Sequence, residues 1–138
     1  MNDEVKKASE NYENGFYCSQ AILGAFCEKY GFDKETAFKI SLGLNSGVRC
    51  AETCGAVTGA ILVIGLKYGS SKEIGNTKTE EYIKHFKDKN ASIVCRDLLG
   101  CDISTSEGKE NALTENLFKT RCLDLVASAA QILVDLGY

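Results

Sequence analysis

Proline is missing from this chain. An interior proline breaks a helix, so its absence leaves every stretch free to be helical, with thirteen glycines to end and punctuate the segments. Histidine is almost missing. His85 stands alone, inside the charged run from Lys84 to Lys89, and reads as a solvated side chain, so cysteine-hydrolase chemistry lacks a well-placed base. No C-x-x-C pair occurs, which excludes the thioredoxin pattern and the common zinc-ribbon pattern. There is no excess of positive charge. The formal net charge is −3, and phosphate backbones need a basic face, so nucleic acid is not expected as a partner. The stretch from Met1 to Lys7 lacks the apolar core of a signal peptide, and the apolar run from Ala56 to Leu66 is too short to span a bilayer. The chain is therefore expected to be cytoplasmic and not inserted in a membrane. Without a repeat, a low-complexity tract or a linker, residues 1–138 read as a single domain.

Cysteine is what the chain has in plenty: Cys18, Cys27, Cys50, Cys54, Cys95, Cys101 and Cys122. The number is odd and no export signal accompanies it, so a disulfide framework is not indicated. In a reducing compartment, clustered cysteines point to metal or redox chemistry. About half of them are expected to be small buried hydrophobes, Cys27 first.

The pattern of apolar residues predicts an all-α fold: a compact bundle of five to seven helices around a central apolar helix at about 52–68. A polar, frayed first helix is expected over 3–13. The second runs from Phe16 to Tyr30, with Cys18, Ala21, Ile22, Ala25 and Phe26 on one face. Asp33 caps the third. Gly43 to Gly47 reads as a flexible connection; no lysine follows in phosphate-loop spacing, so nucleotide binding is not indicated. In the fourth helix, Gly55, Gly59 and Ala60 permit a close neighbour, and Ile61 to Ile64 are apolar on every side. Such a helix belongs in the middle of a bundle, and it motivates the expectation of a homodimer. Thr77-Lys78-Thr79-Glu80 is a capping-box pattern opening the next helix, which continues or restarts over Asn90 to Leu99. Ser104-Thr105-Ser106-Glu107 opens another, and the last spans about 118–136 with Cys122, Leu125, Val126, Ala129, Ile132, Leu133 and Leu136 on one face.

Cys18, Cys54 and Cys122 each fall near the start of a predicted helix and face inward, and Cys95 could join them from a fourth. Four thiolates suit zinc or an iron–sulfur cluster, while two suit a reversible disulfide; the spacings leave these alternatives open. Cys50 and Cys54 are spaced to share a helix face. Arg49, Arg96 and Arg121 each adjoin a cysteine, although sequence neighbours on a helix point about 100° apart and are expected to lie on the surface. The partial positive charge at a helix start is expected to lower the pKa of Cys54.

The run Cys54-Gly55-Ala56-Val57-Thr58-Gly59 resembles the signature of the C_GCAxxG_C_C family of redox-active proteins, named for an upstream cysteine, a Cys-Gly-Ala-x-x-Gly motif and two downstream cysteines. The other members of the pattern are Cys18 in Tyr17-Cys18-Ser19-Gln20, Cys95 in Cys95-Arg96-Asp97-Leu98-Leu99-Gly100, and Cys122. The resemblance covers nearly the whole chain. It implies a small redox-active domain, and a related domain in some larger cytochromes is thought to hold an iron–sulfur cluster. On this resemblance Cys18, Cys54, Cys95 and Cys122 are the candidate catalytic, cofactor-binding and metal-ligating residues, with Cys50 and Cys101 as further candidates. The leading function is an oxidoreductase or electron-transfer protein working with an unidentified redox partner, through a dithiol/disulfide couple or an iron–sulfur cluster. The alternative is a metal-binding or metal-trafficking module for zinc or a soft metal, without turnover. A third reading makes the cysteines core fillers of a structural domain.

Overall fold

A computed structural model describes residues 2–138; Met1, the first residue of the stretch read as lacking a signal peptide, lies outside them. The described residues form eight α-helices and no strand: α1 Asp3–Glu13, α2 Cys18–Phe26, α3 Lys34–Ser41, α4 Gly55–Tyr68, α5 Lys72–Asn90, α6 Cys95–Leu99, α7 Ser106–Thr114 and α8 Arg121–Asp135. The all-α bundle is as expected. The count exceeds seven because the stretch after Asn90 restarts: Ala91 takes a left-handed conformation (φ 74°) that ends α5, and α6 begins separately at Cys95.

Local chemistry explains most of the boundaries. Asp33 Oδ2 accepts from Thr36 N at 2.8 Å, the cap expected for α3. Helix α5 starts earlier than the Thr77 capping box predicts, because Ser71 caps it by accepting from Ile74 N at 3.2 Å. At α7, Thr105 rather than Ser104 is the cap, accepting from Gly108 N, while Ser104 turns its hydroxyl to Asp102. The first helix is not a frayed end. Asn2 caps it, and Val5, Ala8 and Tyr12 make a stripe at helical spacing that packs on the core.

Helix α4 lies against α2, α5 and α8, and its Ala56, Val57, Ala60, Val63 and Ile64 are buried. Most of its apolar surface is thus covered within the chain, while Ile61, Leu62 and Leu66 are only partly buried. Helix α2 shares the centre, with every residue from Ser19 to Phe26 buried. Its two polar members are satisfied: Ser19 Oγ donates to Ser41 O at 2.7 Å and Gln20 Nε2 to Phe38 O at 2.9 Å. The two helices meet closely at Gly59, where a methyl group would lie 2.7 Å from the Ser19 carbonyl oxygen. No helix among the described residues is long and apolar enough to cross a membrane.

Candidate functional site

The expected fourth helix, about 52–68, begins only at Gly55, and the residues before it take on a different task. Glu52 to Cys54 lie outside any helix, and Thr53 makes an isolated antiparallel bridge with Val94. Cys54 N donates to Ile93 O at 2.7 Å and Cys95 N to Glu52 O at 2.5 Å. Arg96 closes the same junction, with Nη1 2.8 Å from Glu52 Oε1 and 3.1 Å from Ala51 O. Two cysteines forty-one positions apart are thereby tied side by side, one at the cap of α4 and one at the start of α6.

Cys18 is the first residue of α2 and Cys122 the second of α8. Gly55 explains how Cys18 reaches the group: a Cβ there would overlap the Cys18 sulfur, so only glycine leaves the thiol its place. Cys122 N donates to Leu117 O at 3.0 Å, which sets the entry to α8. All four cysteines therefore stand at helix beginnings, Cys95 included, and all four line one cavity of about 330 Å³. Its walls are largely apolar, with Leu98, Leu99, Phe118 and Leu125 among them. Cys54 and Cys95 are only 7% and 6% exposed, and Cys18 and Cys122 are half-buried.

The remaining cysteines are placed differently. Cys27 is fully buried in the main core, away from the cavity. Cys50 is exposed in the loop before α4, its sulfur 3.3 Å from Gly47 O; it shares no helix face with Cys54, since no helix begins until Gly55. Cys101 does not line the cavity; like Cys122, it packs against the small cluster of Ala51, Cys95 and Leu99.

Burial dominates the electrostatics. It pushes the Cys95 and Cys122 thiols up to about 12, with mutual repulsion among the thiolates adding to it. It also raises Cys18, against backbone N–H groups of Ser46, Ser19 and Gly55 that favour its thiolate. Cys54 corrects the expectation of a low pKa. The N–H groups of Ala56 and Val57 do pull it down, as a helix start should, but burial and then the neighbouring Cys18 thiolate carry it well above the ordinary thiol value. The flanking arginines do not reverse this. Arg121 alone among them lowers its neighbour, Cys122, while Arg96 is taken by Glu52 and Arg49 reaches Asn45 and Ser46.

Sequence reasoning missed Tyr12. Its hydroxyl donates to Phe118 O at 2.6 Å and stands beside Cys122, so the first helix supplies a polar group to the cavity. The signal was available in the Val5-Ala8-Tyr12 spacing. The loop Ser46–Arg49 was also missed. These four consecutive residues have left-handed backbones, with φ 53°, 65°, 57° and 62°, β-branched Val48 among them. What reads as a flexible glycine connection is a strained turn forming one wall of the cavity.

A family model matches residues 16–136, described as Putative redox-active protein (C_GCAxxG_C_C). The chain belongs to the C_GCAxxG_C_C family. The match takes in all four cavity cysteines and leaves out Tyr12. No curated protein and no solved structure matches the chain. Membership makes this a family of redox-active type, and in this member the signature has a steric meaning: the cysteine caps a helix, the first glycine admits the Cys18 sulfur, and the second admits the α2 backbone.

Two observations bear on what the cavity can hold. Among the described residues, no three cysteine, histidine, aspartate or glutamate side chains come together closely enough to hold one metal ion. A tetrahedral Cys₄ zinc site does not fit that arrangement. The donors that line the cavity of about 330 Å³ are four cysteine sulfurs, and no histidine or carboxylate is among its lining residues.

Proposed function

We propose that this chain is a small single-domain electron-transfer protein, and that Cys18, Cys54, Cys95 and Cys122 hold an iron–sulfur cluster. The observation that carries the reading is four thiols from four helix beginnings lining one apolar cavity. Buried thiols with raised pKa values are poor nucleophiles at neutral pH, which disfavours an exchange-active dithiol as the resting function. A cationic group reverses the balance: its charge takes the place of the thiol protons, and the same low-dielectric walls then strengthen the bond to sulfur. When bound, the cluster supplies one-electron chemistry. The chain's own part is to fix four sulfurs, exclude water with Leu98, Leu99, Phe118 and Leu125, and offer backbone N–H groups to the Cys18 sulfur.

The test is anaerobic reconstitution of the reduced chain with ferrous iron and sulfide, followed by desalting and measurement of retained iron and visible absorption. Retained iron with a coloured product is expected, and affinity should rise with pH because four thiol protons are displaced. Cys54→Ser should abolish retention, while Cys27→Ser should leave it nearly intact. A chain that stays colourless and iron-free, yet forms a reversible disulfide between cavity cysteines, would replace the cluster by the dithiol couple. Retained zinc in place of iron would favour the metal-binding alternative.

A further inference from the structure

The thiol cavity does not open on a neutral surface. Ser46, Arg49, Ile103, Lys109 and Phe118 line it and also line an adjoining hollow of about 230 Å³, completed by Ser104, Thr105 and Ser106. Two cations and four hydroxyl-bearing residues thus border the hollow, and no carboxylate lines either space. In a chain of net charge −3 this is a local reversal of sign.

The cations are also uncompensated. Among the described residues, the ion pairs are Lys6–Glu10, Lys29–Glu4, Lys39–Glu35 and Arg96–Glu52, and neither Arg49 nor Lys109 takes part in one. The Asp102 carboxylate, held by the N–H and hydroxyl of Ser104, keeps its charge but lines neither space. Arg49 is held without being neutralised: Nη1 donates to Asn45 Oδ1 at 3.0 Å and Ser46 Oγ at 3.3 Å, leaving its other donors and its charge free. A guanidinium anchored on neutral partners, lining one hydroxyl-rich hollow together with a lysine, is suited to a multidentate oxyanion more than to a single carboxylate.

We propose that this hollow binds a phosphate-bearing small molecule and seats it at the mouth of the thiol cavity. The purpose of such a ligand rests on the redox reading above, whereas the binding itself does not. Arg49 supplies the fork, Lys109 the second charge, and Ser106, whose hydroxyl has no partner among the described residues, an uncommitted donor.

The experiment titrates inorganic phosphate into the reduced, metal-free full chain and follows backbone amide signals. Saturable shifts confined to residues 46–49 and 104–109 are expected, with acetate at equal ionic strength giving much weaker binding. Arg49→Gln with Lys109→Gln should raise the Kd about ten- to a hundredfold, the loss of one or two charge-assisted hydrogen bonds. Arg49→Lys, which keeps the charge and loses the fork, should weaken binding less. Lys109 is exposed on α7, so Lys109→Gln alone serves as the variant if changes in the left-handed turn disturb folding. Bound phosphate should also slow alkylation of the cavity thiols. No saturable shift at millimolar phosphate, equal response to acetate, or an unchanged Kd in the double variant, meaning an adventitious ion only, overturns the proposal. Unslowed alkylation overturns its placement at the cavity mouth. Because the chain tested carries no iron, failed reconstitution counts against the cluster alone, and failed phosphate binding counts against this site alone.

Discussion

Glycine-to-alanine changes at two positions of α4 should have opposite signs. Gly59 and Gly65 lie on the same helix, six residues apart. Alanine favours a helix interior over glycine by roughly 0.5–1 kcal/mol, and this gain is common to both. At Gly65 nothing lies within 4 Å of the added methyl, so Gly65→Ala should stabilise by about that amount. At Gly59 the methyl would sit 2.7 Å from the Ser19 carbonyl oxygen and 3.2 Å from both Ser19 Cα and Ile22 Cβ, where ordinary contact begins at 3.4 Å. The nearest atom belongs to the α2 backbone and cannot swing away; the two helices must separate. Overpacking of this kind costs about 1–3 kcal/mol, which exceeds the propensity gain. The expected difference between the variants is therefore roughly 1–3 kcal/mol, or several degrees in Tm for a chain of this length. Urea and thermal denaturation followed by far-ultraviolet circular dichroism measure it. Because Ser19 adjoins Cys18, Gly59→Ala should also weaken iron retention, while Gly65→Ala should not. If the two variants are equally stable, close approach of α2 and α4 at Gly59 is refuted.

The pH dependence of the reduced, metal-free chain follows from Cys95 and Cys122, raised from near 9 to about 12 in the folded state. Between these values the unfolded chain has released protons that the folded chain still holds, so stability falls as pH rises. Urea midpoints should be level below about pH 8 and decline steadily above about pH 9; a rise across that range would contradict the burial of these thiols. Tyr12→Phe should cost about 1 kcal/mol, because the Phe118 carbonyl loses its donor from α1, and should shift the reduction potential of a reconstituted cluster by removing a hydroxyl beside Cys122. An unchanged Tm together with an unchanged potential would show that this hydroxyl does neither. Glu52→Gln should loosen the junction that ties Cys54 to Cys95 by removing the charge facing Arg96, with a loss below about 1 kcal/mol for so exposed a pair, read as a small drop in Tm that salt reduces in the parent chain.

Much of this protein was legible from local rules. Missing proline, caps such as Asp33, and stripes such as Leu125-Val126-Ala129-Ile132-Leu133 concern residues within one or two turns of each other, and helices obey such short-range terms. The same rules placed Cys18, Cys54 and Cys122 at helix beginnings, and the order of cysteines around Cys54-Gly55-Ala56 pointed to the family. Three things required the tertiary structure. The bridge between Thr53 and Val94, which joins residues far apart in the chain, has no local signature. The pKa of Cys54 depends on a contest between its helix start and its burial, and only the packed interior reveals that burial prevails. The meeting of Arg49 and Lys109 at one hollow depends on a left-handed turn whose residues, Val48 above all, would not choose that conformation by themselves. Sequence determines what each short segment prefers; the convergence of thiols and cations arises from long-range packing strong enough to override those preferences.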